Sequence, residues 1–341
     1  MHELGAKVLE GDLRAVARAC RWVDDRTPGY LDLLRDLYPH TGAAWWVGVT
    51  GGPGAGKSTL VDRLIARFRS EELRVAVVAV DPTSPFSGGA ILGDRIRMQR
   101  HFQDEEVFIR SVATRGALGG LSRSAVDVAR ILEAWGAGVV LIETVGVGQD
   151  ELEVARTAHS TLVVVSPGLG DAVQALKAGV LECADVFAVN KADRPGVDTT
   201  VRDLELMIAL GSPSMANSRT SRAHSAPSVT PEKSEETSEH WVVPVVRCIA
   251  TEDSGTSEVL ENLKAHRRWL DSSEAGRIRR LARTREQLLG FLRDELVGEL
   301  SRELEQAIDA AAEAVARRST DPYTACERLL HEFRGGGLES S

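Results

Sequence analysis

The sequence predicts an α/β fold: a mainly parallel β-sheet covered by helices, with further helices at both ends of the 341-residue chain. Short apolar runs alternate with helical patterns between residues 45 and 270. Most of these runs are almost continuously apolar, which is typical of parallel strands buried on both faces. A glycine-rich turn joins the first run directly to an amphipathic helix. The predicted strands span residues 45–50, 74–80, 106–112, 138–142, 160–165, 185–190 and 242–246.

The glycine-rich turn, residues 51–59, fits the pattern G-x-x-x-x-G-K-[ST] in the strand–loop–helix context of a phosphate-binding loop. Glycines let backbone N–H groups approach a phosphate, and the positive end of the following helix faces the same anion. We therefore predict a P-loop NTPase fold in which Lys57 reaches the β- and γ-phosphates. The predicted phosphate contacts are Gly52, Pro53, Gly54, Ala55, Gly56, Lys57, Ser58 and Thr59.

A second motif, Asn190-Lys191-Ala192-Asp193, follows the predicted strand 185–190, and it indicates which base is bound. A carboxylate accepts hydrogen bonds from N1–H and the N2 amino group of guanine, a pair of donors that adenine lacks. We expect Asp193 to make this contact, Asn190 to brace the loop, and the stem of Lys191 to cover the base. The motif alone is weak, but it lies at a strand end, where open α/β sheets bind ligands.

Acidic residues at two other predicted strand ends indicate a magnesium site. Glu143 follows the run 138–142, Asp81 follows the run 74–80, and Ser58 offers a hydroxyl group. Mg²⁺ prefers such oxygen ligands. For Asp81, a helix cap is the alternative.

Three further segments are candidate switches. The first is residues 143–149, where Gly146 has no side chain to keep its N–H from the γ-phosphate. Gln149 of the same segment fits a solvated loop residue better than a residue that positions the attacking water. The Pro- and Gly-rich stretch after Asp81 predicts a mobile loop ordered by the γ-phosphate, and Asp94 lies in it. Asp94 also fits an ordinary surface charge. Asp171, Gln174 and Lys177 follow at i, i+3 and i+6, a spacing that by itself favours a polar helix face.

The chain divides into a helical extension (1–40), a nucleotide-binding core (41–270) and a C-terminal helical arm (271–341). Residues 212–240, rich in Ser, Thr, Pro and Glu, predict a disordered insertion in the core. In the arm a leucine stripe recurs every four residues and so drifts by ~40° per step around a helix. This drift favours an arm that packs on its own core and on a second subunit over a hairpin on its own domain. Gly298 is a candidate helix break.

Composition limits the function classes. A net charge of −9 and a pI near 5.5 argue against a nonspecific nucleic-acid binder. The N-terminus shows no signal-peptide pattern, and no apolar run approaches the ~18 residues of a membrane helix, so we expect a cytoplasmic protein without membrane contact. The four cysteines are far apart, which predicts reduced thiols, and the Cys and His residues form no metal-binding pattern.

Together these residues resemble the MeaB-type GTPases, also called ArgK or LAO/AO transport ATPases, which chaperone adenosylcobalamin-dependent acyl-CoA mutases. The match is close over about residues 40–210 and 241–270. Its most specific segments are residues 80–85, 91–98, 113–122 and 143–149.

The resemblance implies a homodimer joined through the C-terminal arms. It implies that Asp81 and Glu143 lie at the Mg²⁺ site, that Asp94 lies in the first switch, and that Asp171, Gln174 and Lys177 belong to a third switch that couples the nucleotide site to the mutase. The chain departs from the family where Ile249-Ala250 replace the usual Ser-Ala of the last guanine-binding loop, so only the backbone contact carries over. Ala178 stands where a second basic residue is common, and the insertion is longer than usual.

The expected function is hydrolysis of GTP to GDP and phosphate by in-line attack of water, with Mg²⁺ bound. The resemblance implies that hydrolysis gates cobalamin delivery to a mutase, or protects or reactivates that enzyme, with the cobalamin held by the partner. A kinase linked to amino-acid transport is an alternative, but it would require ATP. A nickel-delivery GTPase would require a Cys/His cluster, and a GTP-gated adaptor would bind GTP without cleaving it.

Overall fold

The structure, a computed structural model, describes residues 2–81, 98–113, 123–144, 150–167, 183–211 and 240–336. Within these ranges, seven strands form one sheet in the order β3-β2-β4-β1-β5-β6-β7, and every pair of neighbours is parallel. The α/β prediction is therefore confirmed. The strands are β1 (Trp45–Thr50), β2 (Val75–Asp81), β3 (Val107–Ala113), β4 (Val139–Thr144), β5 (Ser160–Val165), β6 (Val186–Asn190) and β7 (Val245–Cys248).

Two strand boundaries differ from the prediction for physical reasons. β7 begins at Val245, because Pro244 has no N–H to donate to a ladder. The Pro244 carbonyl still accepts from the Phe187 amide at 2.9 Å. β4 continues to Thr144, so Glu143 lies within the strand instead of after it.

Helices cover both faces of this sheet. The helices of the described residues, in both compact parts of the chain, are α1 (Glu3–Leu9), α2 (Leu13–Asp24), α3 (Tyr30–Leu37), α4 (Lys57–Ser70), α5 (Arg123–Ala134), α6 (Asp150–Thr157), α7 (Val197–Gly211), α8 (Thr256–Ser272), α9 (Glu274–Glu303), α10 (Glu305–Ala316) and α11 (Pro322–Gly336).

Alternate residues of the strands point to opposite faces of the sheet. Helices α4 and α8 pack on one face, where Phe68 and Leu263 join Val164 of β5 in a single buried cluster. Helix α7 packs on the opposite face, where Leu204 contacts a cluster that contains Phe187 of β6. Because both faces are covered, the strands are almost continuously apolar, as the sequence indicated.

The three N-terminal helices pack on the outside of the unit that contains the sheet. Helices α1, α2 and α3 pack against one another and against α5. The Asp24 carboxylate of α2 also forms an ion pair with Arg110 of β3 at 2.5 Å. The predicted helical extension is therefore attached to the core through α5 and β3.

The chain forms two compact units, Met1–Arg280 and Leu281–Ser341. In the second unit α10 packs against α11. The expected break at Gly298 is wrong: α9 continues through this glycine to Glu303, and Leu304, with φ −112°, separates it from α10. In the part of the chain that the structure describes, no helix combines the length and apolarity needed to cross a bilayer.

Candidate nucleotide-binding site

The phosphate-binding loop lies between β1 and α4, at the carboxyl end of the central strand. Two of its glycines are required by both backbone conformation and space. Gly51 has φ +135°, and a Cβ there would lie 2.0 Å from the Val164 carbonyl oxygen. Gly56 has φ +92°, and its Cβ would lie 2.3 Å from Asn190 Nδ2. Larger residues would therefore move the loop away from β5 and β6.

Lys57, the first residue of α4, is buried and folds back over this loop. Its Nζ donates to the carbonyl oxygens of Gly51 at 2.8 Å and Gly52 at 3.0 Å. The ammonium thus lies beside the loop predicted to hold the β- and γ-phosphates. When a nucleotide binds, its phosphate oxygens would replace these two carbonyl oxygens as acceptors from Lys57 Nζ.

Two of the three predicted magnesium ligands are in direct contact. Ser58 Oγ donates to Glu143 Oε1 at 2.6 Å, and both side chains are buried. Their strands explain the contact, because Val49 of β1 pairs with Glu143 of β4. Asp81 ends β2, the other neighbour of β4, at the same edge of the sheet. A hydroxyl and a carboxylate held together suit a hard divalent cation.

Asn190 joins the phosphate-binding loop to the loop that follows β7. Its Nδ2 donates to the Ala55 carbonyl at 2.9 Å, and its Oδ1 accepts from the Ala250 amide at 3.0 Å. These are contacts that a bracing residue would make, and the role of Asn190 in nucleotide binding stays a prediction. The Ala250 amide, predicted to contact the nucleotide, is directed here to Asn190, and the preceding residue Ile249 forms an isolated bridge with Ser254.

The next residues of the motif extend toward solvent. Lys191 adopts φ +59°, and its Nζ donates to the Gly54 carbonyl at 2.6 Å, so its stem crosses the phosphate-binding loop. Asp193 is exposed. This arrangement leaves the Asp193 carboxylate accessible to a base lying beside the Lys191 stem. Burial raises the pKa of the neighbouring Cys248 thiol to about 12, so this thiol is neutral at physiological pH.

Sequence reasoning missed two groups of residues on α4. Arg63 and Arg67 contact the loop that follows β7. Asp62 accepts from Arg100 Nε at 2.6 Å and lies 3.0 Å from His101 Nε2. No sequence signal marks these residues, because an arginine or aspartate on a helix is ordinary. Five predicted site residues lie outside the described residues: Asp94, Gly146, Asp171, Gln174 and Lys177.

Comparison with known proteins agrees with this geometry. The family model described as methylmalonyl Co-A mutase-associated GTPase MeaB matches residues 16–305. A putative GTPase of Pyrococcus abyssi is 42% identical over 337 residues, which cover 98% of each chain. The methylmalonic aciduria type A homolog, mitochondrial, of Caenorhabditis elegans is 34% identical over 208 residues, covering 57% of this chain and 52% of that protein.

Among solved structures, a protein described as LAO/AO transport system kinase resembles this fold with a TM-score of 0.64. It is 26% identical, and the match covers 97% of each chain. The family model spans most of the sequence, and the Pyrococcus relative matches over nearly its full length. This chain therefore belongs to the methylmalonyl-CoA mutase-associated GTPase family of MeaB type, and it is a GTPase.

Proposed function

We propose that this GTPase couples Mg²⁺-dependent GTP hydrolysis to an adenosylcobalamin-dependent acyl-CoA mutase, gating delivery of the cobalamin or protecting and reactivating the enzyme. The family description, which names methylmalonyl-CoA mutase, supports the partner class. The observation that carries the GTP site is the Asn190 bridge between Ala55 and Ala250, because it brings the phosphate-binding and base-binding motifs together.

In the proposed reaction, water attacks the γ-phosphorus in line with the bond to the leaving β-phosphate oxygen. The loop amides and the N-terminal end of α4 stabilise the charge that develops on the β- and γ-oxygens. Lys57 adds a buried positive charge beside the same oxygens. The loop backbone and α4 are already held by the fold, so they need little reorganisation when GTP binds. Lys57 Nζ would turn from the Gly51 and Gly52 carbonyl oxygens to the phosphate oxygens.

Ser58 and Glu143 would hold the magnesium ion, with Asp81 of the adjacent strand in support. Bound there, Mg²⁺ would neutralise charge on the β- and γ-phosphate oxygens. The contact between Ser58 and Glu143 supports this assignment.

Guanine would lie at the exposed side of the site. Asp193 would accept from N1–H and the N2 amino group, and Lys191 would cover one face of the ring. The alternative of a transport-linked kinase is motivated by the related LAO/AO transport system kinase. It needs ATP, whereas this pairing of a carboxylate with guanine disfavours adenine.

The arm is proposed to join two copies of the chain. On the part of α9 that lies in the second unit, Leu288, Leu292 and Leu296 are 66%, 53% and 46% exposed in the single chain. They recur every four residues and form an exposed apolar stripe. A second copy would bury this stripe, because large apolar surfaces on one helix mark interaction sites.

The coupling to a mutase is tested by measuring GTP hydrolysis with and without an acyl-CoA mutase loaded with adenosylcobalamin. We expect the rate to rise with the loaded mutase, and we expect Lys177→Ala to reduce that rise. Arg35→Ala is the control, since Arg35 is 76% exposed on α3 and its guanidinium pairs with Asp32 of the same helix. If the wild-type rate of GTP hydrolysis is the same with and without acyl-CoA mutases, the coupling is refuted.

A further inference from the structure

We propose that Arg63 and Arg67 of α4 are positioning residues that set the nucleobase selectivity of the enzyme. They would do so by holding residues 249–256, the loop after β7 together with the first residue of α8 and called here the base-side loop, at a fixed distance from the phosphate-binding loop. The proposal deepens the function above and rests on the guanine site proposed there.

Arg63 binds the backbone of the base-side loop at two successive residues. Its Nε donates to the Ala250 carbonyl at 2.9 Å, and its Nη2 donates to the Thr251 carbonyl at 2.9 Å. A planar guanidinium presents such paired donors in a rigid fork, which lysine lacks. The two contacts therefore fix the direction of the loop as well as its distance from α4.

Arg67, one helical turn later, holds the far side of the same loop. Its Nε donates to Thr256 Oγ1 at 2.9 Å, and its Nη2 lies 3.1 Å from Asp253 Oδ2. Burial acts to raise the pKa of Asp253, but the Thr256 hydroxyl and the Arg67 guanidinium outweigh it and lower that pKa. The carboxylate is thus ionised at neutral pH and can keep this contact.

The contacts close a ring that passes through both halves of the site. From α4, Arg63 reaches the Ala250 carbonyl, and the Ala250 amide donates to Asn190 Oδ1. Asn190 Nδ2 then donates to the Ala55 carbonyl of the phosphate-binding loop, which leads back into α4 at Lys57. A shift of the base-side loop must therefore break either an arginine contact or an Asn190 contact.

Polar contacts matter here because the loop has little apolar anchorage. Ala250 is buried, whereas residues 251–253 are exposed. Gly255 fixes the far end, since a Cβ there would lie 2.1 Å from the Arg247 carbonyl oxygen. The bridge between Ile249 and Ser254 closes the loop on itself, so without the arginines the loop would keep its shape but could shift as a unit relative to α4. Base contacts would then weaken, whereas phosphate contacts on the other side of Asn190 would remain.

The test compares ligands that contain the base with one that lacks it. Dissociation constants for GDP, ADP and tripolyphosphate are measured with Mg²⁺ on the full chain, using wild type, Arg63→Ala, Arg63→Lys and Arg67→Ala. We expect Arg63→Ala to weaken GDP binding by roughly tenfold, the loss of about 1.4 kcal/mol of base contacts. ADP and tripolyphosphate binding should change little, so the preference for GDP over ADP falls. Arg63→Lys should restore only part of that preference.

Arg69→Ala is the matched control on the same helix. Arg69 is 22% exposed, close to the 27% of Arg67, but its guanidinium pairs with Asp104 and the Leu73 carbonyl instead of the base-side loop. It should retain the wild-type ratio of GDP to ADP affinity.

Two results would overturn the proposal. In the first, GDP and tripolyphosphate weaken in parallel, as they would if the arginines only stabilised the fold. In the second, both arginine variants keep the wild-type preference for GDP. A wild type that binds ADP as tightly as GDP would instead refute the guanine site itself, and the two failures are therefore distinguishable.

Discussion

At the residue scale, the contact between Ser58 and Glu143 carries the largest chemical consequence. A hydroxyl and a carboxylate are held 2.6 Å apart in a buried position, at the edge where the phosphate-binding loop begins. An ionised carboxylate at this place attracts a divalent cation, whereas a neutral amide of the same shape does so far less.

We therefore expect Glu143→Gln to lower the turnover number for GTP by roughly 10- to 100-fold, the usual cost of disturbing a metal site. Higher Mg²⁺ concentrations should be needed for half-maximal activity. A magnesium titration of GTP hydrolysis provides the measurement. Glu106→Gln is the control, because Glu106 pairs with Arg74 away from the site. An unchanged magnesium dependence would show that Glu143 does not serve the metal.

The residues that the sequence identified either belong to a short motif whose members are close in sequence or, like Asp81 and Glu143, stand at the end of a predicted strand. Lys57 and Ser58 lie in one such motif, and Asn190 in another. Arg63 was not predictable, since its partners are the carbonyl groups of Ala250 and Thr251. Every residue carries a carbonyl group, so a sequence pattern does not distinguish these two.

At the scale of elements, buried parallel strands were predictable because both faces demand apolar side chains. The boundaries depended on details of backbone hydrogen bonding. Pro244 delays β7, and β4 extends past Glu143. At Gly298, by contrast, the sequence suggested a boundary where the structure has none. Glycine lowers the stability of a helix interior by only about 1 kcal/mol relative to alanine, and α9 continues through it.

Helix α5 contains a buried carboxyl group with a measurable pH effect. Asp127 is 3% exposed, and Arg130 and Arg123 approach it only to 3.5 and 3.8 Å. Burial raises its pKa from 3.8 to about 6, against the opposing effect of these arginines. The folded state therefore binds the proton more tightly than the unfolded state. The resulting stability is present at low pH and is lost as the pH rises from about 4 to about 6.

We expect Asp127→Asn, which does not titrate, to gain stability relative to wild type by about 1 kcal/mol between pH 5 and pH 7.5. Urea unfolding at both pH values measures the difference. Asp203→Asn, at an exposed position on α7, is the control and should follow wild type. A wild type and an Asp127→Asn variant with parallel pH profiles would contradict the raised pKa.

At the scale of the whole molecule, the two compact units have different surfaces. The first unit buries its strands under helices on both faces, whereas α9 in the second unit exposes the leucine stripe. The sequence predicted the stripe from its four-residue spacing. The drift of the stripe also favoured a second subunit as the surface that covers it, and the family resemblance implies a homodimer, which stays a prediction.

We expect Leu292→Glu to weaken the proposed dimer by at least roughly tenfold, because two symmetry-related leucines would lose about 1.5–3 kcal/mol of burial each. Analytical ultracentrifugation over a range of concentrations gives the dissociation constant. Leu206→Glu is the matched control, since Leu206 is an exposed leucine of the first unit, at 57%. A wild type that is monomeric at all concentrations, or a Leu292→Glu variant that dimerises normally, would refute the arm interface.

The most direct test of the nucleotide site is the rate of GTP, ATP and XTP hydrolysis by the full chain with Mg²⁺, in wild type and Asp193→Asn. Wild type should prefer GTP to ATP strongly. Asp193→Asn should shift toward XTP, because an amide N–H₂ can donate to the C2 carbonyl of xanthine where the carboxylate accepts from guanine. Equal turnover of GTP and ATP by wild type, or an Asp193→Asn variant that retains the GTP preference, would contradict guanine selection by this site.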